Sequence, residues 1–147
     1  AERLLADVIG LEWSLVHEEA CRWEHVMSEH VERRLIEMLG QPTESPFGNP
    51  IPAMEDIGGP ASEKFLKGVI RVTEFARSDP QSGLLRRLGE PAQFDSSLLA
   101  TFKAAGVIPG ARVEVSIVEG GYKLVSENPQ GEVVVPESIA EHLYLAK

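Results

Sequence analysis

The densest chemistry in this sequence is the stretch HEEACRWEH, from His17 to His25. On an α-helix each residue turns by about 100°, so with His17 at zero, Cys21 lies near about +40°, Glu24 near about −20° and His25 near about +80°. An imidazole, a thiol, a carboxylate and a second imidazole therefore share one helical face. Imidazole and thiolate suit intermediate transition metals, and an added carboxylate favours Fe(II), Co(II), Ni(II) or Zn(II) over Ca(II) or Mg(II). Donors spread along the helix need not converge on one ion, so the face has room for two neighbouring sites. Taken singly, a helical His is ordinarily surface or satisfied core, and a lone Cys ordinarily packs. Four donors at these spacings, with no apolar residue between them on that face, point to metal binding.

An enzymatic reading competes with this one. His17-Glu18-x-x-Cys21 is superficially like the H-E-x-x-H zinc peptidase motif, with Glu18 as the base of a metallohydrolase. Cysteine replaces the second histidine, however, and no third histidine ligand is evident downstream. Cys21 with His25 four residues on also has the spacing of a thiol and its base, but nothing in the sequence supplies an oxyanion hole or a substrate pocket. No catalytic residue is expected.

The elements that must position these donors follow from the periodicity. Leu4, Leu5, Val8 and Ile9 recur at helical spacing up to Gly10, as at the end of a helix already under way, which implies a missing upstream part. A second helix is predicted from about Glu12 to Met27 and a third from Ser28, an N-cap residue with Glu29 and Glu32 in its first turn, to about Gly40. Val31, Leu35, Met38 and Leu39 form one apolar stripe. Three short amphipathic helices bury little area alone, so a partner subunit or domain is expected. Trp13, Val16 and Trp23 fall off the donor face, with Trp23 either core or dimer interface.

Residues 41–64 hold Pro42, Pro46, Pro50, Pro52 and Pro60 with several glycines, which reads as a linker or an irregular wrap. Residues 65–75 have weak strand character. From about residue 84 the period changes: Asp95 or Ser96 caps a helix stopped at Gly106, and Pro109-Gly110 is a turn. RVEVSIV and YKLVS flank Glu119-Gly120-Gly121 as a hairpin, and GEVVVP and HLYLA supply two more strands. The predicted class is α+β: a helical dimerisation and metal-binding domain over 1–40, a proline-containing linker over 41–83, and a small SH3-like antiparallel β-barrel over 84–147.

Composition sets the outer bounds. The 147 residues are 43% hydrophobic and 25% charged, as in a folded domain or two small ones. No apolar run approaches the ~20 residues needed to cross a bilayer, and the N-terminus carries no signal-peptide pattern. A single cysteine excludes an internal disulfide and fits a reducing cytoplasm. A net charge of −9 makes the chain a poor ligand for polyanionic DNA and a good one for cations.

At HEEACRWEHVMSEHVERRL and again at SPFGNPIP the sequence resembles the diphtheria toxin repressor and iron-dependent regulator family. The match is close over the helical half and weaker beyond it. The resemblance implies a cytoplasmic, homodimeric transcriptional repressor that binds DNA operators of iron-uptake genes through an N-terminal winged helix absent from this chain. It implies Fe(II) as the activating ion, with Co(II), Ni(II), Mn(II) or Zn(II) as substitutes. Two metal sites are implied. A primary site would use Cys21, Glu24 and His25 with a methionine of the DNA-binding domain. An ancillary site would use Glu2 and His17 with Glu90 and Gln93 of the SH3-like domain and a histidine upstream of Ala1. Cysteine at position 21 separates iron-type from manganese-type members, as a softer ligand would. The SH3-like domain is expected either to act as a spacer or to dock Ser45–Pro52 of its own chain in a peptide groove. A stand-alone metal-binding or ferrous-transport accessory module is the alternative reading.

Overall fold

The structure, a computed structural model, describes residues 1–51, 66–127 and 130–147. Its contacts divide the chain into two compact units, Ala1–Lys67 and Gly68–Lys147.

The first unit is helical. Leu4–Ile9 is wound as a π-helix, one residue wider per turn than an α-helix, and is closed by Gly10 in the left-handed conformation. A 3-10 turn, Trp13–Leu15, leads into α1, Val16–Glu24. This helix is shorter at both ends than the expected Glu12–Met27: its last turn opens at His25, whose N–H bonds to Trp23 O. Ser28 caps α2, Glu29–Met38, its hydroxyl accepting from Val31 N at 3.3 Å. Arg33 pairs with Glu29 one turn back. The expected apolar stripe of α2 is largely open in the single chain. Val31 and Met38 are exposed, and Ile36 is the residue that is buried.

The core of this unit comprises Leu5, Val16, Ala20, Ile36 and Phe47. Phe47 comes from the proline-containing segment and is wholly buried. Its ring lies 4.9 Å from that of Trp13 and 6.3 Å, edge-on, from that of His17. The segment is pinned by backbone acceptors: Trp13 Nε1 donates to Pro46 O, and Arg3 donates to Glu44 O and Ser45 O. Residues 43–51 are thus a structured wrap around the helices. Pro52 and Pro60, and the end of the expected Ser45–Pro52 docking segment, fall outside the described residues.

The second unit contains a six-stranded antiparallel sheet in the order β1-β6-β2-β3-β4-β5. The strands are β1 Val69–Arg71, β2 Gln81–Leu88, β3 Arg112–Val118, β4 Gly121–Glu127, β5 Gln130–Val135 and β6 Leu143–Ala146. Four helices complete it: α3 Val72–Phe75, α4 Glu90–Gln93, α5 Ser96–Ala105 and α6 Glu137–Ala140. This unit takes in residues 68–83, which the sequence reading assigned to the linker. The predicted hairpin closes through Glu119-Gly120, with Val118 paired to Gly121. Glycine is needed at 121, where a Cβ would lie 2.0 Å from Val135 O. Asp95 caps α5 by accepting from Leu98 N at 3.0 Å, and Gly106 ends it in the left-handed conformation. Leu85, Leu88, Leu99, Phe102, Val107, Val113, Val115, Leu124, Leu143 and Leu145 have no exposed surface. The α+β class, helices first and antiparallel sheet second, is therefore the fold observed. Among the described residues no helix is long and apolar enough to cross a membrane.

Candidate metal centre

The site is built on α1. His17 sits in its first turn between Val16 and Ala20, both core residues, so it is carried inward and is itself buried. Cys21 follows one turn later and is half-buried. Glu24 is the last residue of the helix, and His25 is the C-cap, still near helical dihedrals and exposed. Glu2 lies just ahead of the π-helix, which turns it toward α1.

Three of the predicted donors form a contact chain. His17 Nδ1 lies 3.2 Å from Glu2 Oε2, and His17 Nε2 lies 3.5 Å from Cys21 Sγ. While Glu2 is ionised its oxygens can only accept, so His17 Nδ1 donates to it, and Nε2 is the ring atom that faces the thiol. Burial pushes the Glu2 carboxyl above the ordinary carboxylate value. The hydrogen bond and charge of His17 oppose this, and the neighbouring Glu24 carboxylate adds to it by repulsion. A half-buried carboxylate, a second carboxylate acting on it, an imidazole and a thiol form a donor set suited to a divalent transition cation. Its charge would offset the burial and repulsion that raise Glu2. In chemistry the residues present therefore fit the implied metal, although among the described residues their spacing does not gather three of them around one point.

The outer donors are less gathered. Among the described residues no three His, Cys, Asp or Glu side chains are close enough together to hold an ion. Cys21, Glu24 and His25 thus share a face without converging. Glu18, the would-be hydrolytic base, is exposed. Trp23 is half-buried and donates from Nε1 to Glu19 Oε1 at 2.9 Å. Glu19 in turn is held below the usual carboxylate range by hydrogen bonds from Arg22 and Trp23.

Glu90 and Gln93 belong to the second unit, on α4. Glu90 is exposed, and Gln93 is buried with Nε2 donating to Leu88 O at 2.8 Å. That bond fixes the orientation of the amide. Sequence reasoning missed the part played by Phe47, whose ring edge supports His17. The aromatic residue within SPFGNP was the available signal, hidden by the lack of any period among prolines.

A helical unit followed by a small antiparallel sheet is the fold shared with metal-dependent transcriptional repressors of known structure. Residues 1–53 match the model for the iron dependent repressor, metal binding and dimerisation domain. Along its whole length the chain is similar to iron-dependent repressors. It is 46% identical over 148 residues to the iron-dependent repressor IdeR of Mycobacterium tuberculosis, covering all of this chain. It is 41% identical over 128 residues to the diphtheria toxin repressor of Corynebacterium diphtheriae, covering 87% of this chain and 56% of that protein. The chain spans 64% of the length of the IdeR it matches. Among solved structures, a manganese-dependent transcriptional repressor in complex with manganese shares the fold, with a TM-score of 0.77 and 22% identity over 98% of this chain and 64% of that one. The IdeR of T. acidophilum aligns with a TM-score of 0.73 and 26% identity, over 99% of this chain and 62% of that one.

Proposed function

We propose that this chain is the metal-sensing and dimerising part of an Fe(II)-dependent transcriptional repressor, acting in the cytoplasm and controlling iron-uptake genes. The observation that carries the reading is the contact chain Glu2–His17–Cys21, centred on buried His17, beside a helix that also presents Glu24 and His25. In this reading the primary site is Cys21, Glu24 and His25, and the ancillary site is Glu2 and His17 with Glu90 and Gln93. The organisation is a helical dimerisation and metal-binding domain, a proline-containing linker and an SH3-like domain. Fe(II) is the resident ion, and Co(II), Ni(II), Mn(II) and Zn(II) are the substitutes that such donors accept.

A bound divalent ion supplies a shared point of attachment for donors from different domains. The chain's own residues do the rest. Phe47 and Trp13 hold His17 in place, Glu2 orients its ring, and α1 aligns Cys21 with Glu24. Donors on separate domains favour one domain arrangement over others by their differential affinity. In a homodimer this sets the spacing of two winged helices that read two half-sites. DNA contact falls to those winged helices, since a net charge of −9 disfavours phosphate binding by this chain. Exposed Val8, Ile9, Val26, Val31 and Met38 supply apolar surface on the helical unit for the second subunit, with Trp23 beside them on α1. The protein is not an enzyme in this reading, and Glu18, the would-be base, is exposed. Docking of Ser45–Pro52 on the SH3-like domain would have to leave Phe47 in its buried place.

The test is anaerobic Fe(II)-dependent binding of the full-length protein to its operator, with Cys21→Ala and His17→Ala as variants. Operator affinity should fall by at least about 100-fold with Cys21→Ala and less with His17→Ala, given the usual cost of removing a metal donor. Operator binding that is independent of metal, or unchanged in Cys21→Ala, sinks the reading.

A further inference from the structure

We propose that the winding of Leu4–Ile9 couples subunit association to the Glu2–His17 contact. Wound as a π-helix, this segment divides one apolar stripe between its own core and a second copy of the chain, while it keeps Glu2 on the His17 ring. The inference rests on the dimer of the reading just given and adds what makes that dimer depend on the Glu2 end of the segment.

The stripe is the starting point. Leu4, Leu5, Val8 and Ile9 recur at α-helical spacing. With Leu5 at zero, α-winding puts Val8 near about −60° and Ile9 near about +40°, on either side of the direction in which Leu5 points. A π-turn takes about one residue more, so each residue turns by only about 80°. Val8 then falls near about −120° and Ile9 near about −40°, and the pair swings to one side of Leu5. The structure follows that division. Leu5 is 2% exposed, whereas Val8 is 60% and Ile9 55% exposed.

The backbone bonds locate the change of winding. Leu5 N–H donates to Ala1 O at 3.1 Å, in the α-helical pattern. Leu5 O then accepts from Gly10 N–H, five residues on, and from Leu11 N–H at 2.9 Å, six residues on. Plain α-winding would give that oxygen the Ile9 N–H instead. An exchange of donors at one carbonyl thus separates two windings of the same residues. The π form is rare, and an uncommon backbone persists where surrounding contacts hold it. At the N-terminal end those contacts are Arg3, donating to Glu44 O and Ser45 O, and Glu2, 3.2 Å from His17 Nδ1. At the other end stand Val8 and Ile9. Their exposure counts against the π form in a lone subunit, and a second copy that covers them removes that cost. Contacts at both ends favour the same winding, so each strengthens the other reciprocally.

The experiment follows amide exchange and sedimentation of the full-length protein in chelator, at concentrations spanning its dimer dissociation. Protection of the Gly10 and Leu11 amides should rise by more than about 5-fold from monomer to dimer. Glu2→Ala should weaken dimerisation by more than about 5-fold, although its side chain faces His17. Glu2→Gln, whose amide oxygen still accepts from Nδ1, should restore about half of that loss. Val8→Asp should in turn speed exchange at Gly10 and Leu11 as it weakens the dimer. Unchanged exchange of the α1 amides verifies that the helical unit of each variant is folded. A dimer unaffected by Glu2→Ala, or Gly10 and Leu11 amides protected equally in monomer and dimer, overturns the coupling and leaves the repressor reading standing. A protein that stays monomeric both with and without Co(II) removes both.

Discussion

The two units solve the problem of burial differently. The sheet unit closes on itself: α5 lays Leu99 and Phe102 into a core where, among the described residues, eleven large aliphatic or aromatic side chains have no exposed surface. The helical unit does not. It buries Leu5, Val16, Ala20, Ile36 and Phe47, yet leaves Val26 85% and Met38 62% exposed. An exposed apolar patch on an otherwise folded unit marks an interaction surface. The unit that carries the metal donors is thus the one whose fold is unfinished in a single chain, and an unfinished fold is the kind an ion or a partner subunit can complete.

The largest expected effect tests the self-sufficient side. Phe102→Ala should cost the sheet unit about 3–5 kcal/mol, the usual range for emptying such a core. This would be read as a lower denaturant midpoint for amide protection in residues 81–146. A cost under about 1 kcal/mol would mean that the core is less closely packed than its burial indicates. Phe47→Ala should cost the helical unit about 3 kcal/mol and, in the same sample, reduce Co(II) affinity by freeing the His17 ring. Retained affinity would separate the packing of this unit from its chemistry.

The remaining predictions are smaller. Ser28→Ala removes the cap of α2 and should lower stability by about 1 kcal/mol, seen as faster exchange of the Val31 amide. Val26→Asp should change the stability of the single chain by less than about 0.5 kcal/mol, yet shift sedimentation toward monomer. An unchanged dimer would place the subunit contact elsewhere. The last concerns pH without metal. The folded Glu2 carboxyl titrates above its ordinary value of 4.5. Its contribution to stability is therefore present below that value and lost as pH rises through the raised one. Wild type should accordingly lose stability relative to Glu2→Gln as pH rises from 4 toward neutrality, by thermal melting in the presence of chelator. A difference that stays constant with pH would mean that burial does not shift Glu2.

Much of this was legible in the sequence, where period and punctuation agreed. Ser28, Asp95, Gly106 and the Glu119-Gly120 turn all act as their residue types predict. Strand β2 was harder to see. The pairing of β2 with β6 shifts register between Leu85 and Arg87, so Leu85, Arg87 and Leu88 are all buried and the alternation that reveals a strand is broken. Arg87 in particular carries a charge and is nevertheless only 1% exposed. For the site, helical spacing put His17 and Cys21 on one face. It could not give the contact with Glu2, fifteen residues earlier in the chain, because that depends on how the π-helix joins α1.

That π-helix works as a phase adjuster. Leu4–Ile9 carries one more residue per turn than the α-helix it would otherwise be. Each residue is worth about 100° of rotation. Excising one residue between Leu5 and Ile9 should let the segment rewind to ordinary pitch, as a gear does when a tooth is removed. Every donor would remain in the sequence, but Glu2 would swing by roughly a quarter turn away from the His17 ring. A protein altered in this way would keep its donors and its sheet, and would lose the alignment that lets a carboxylate near the N-terminus cooperate with a histidine one helix later.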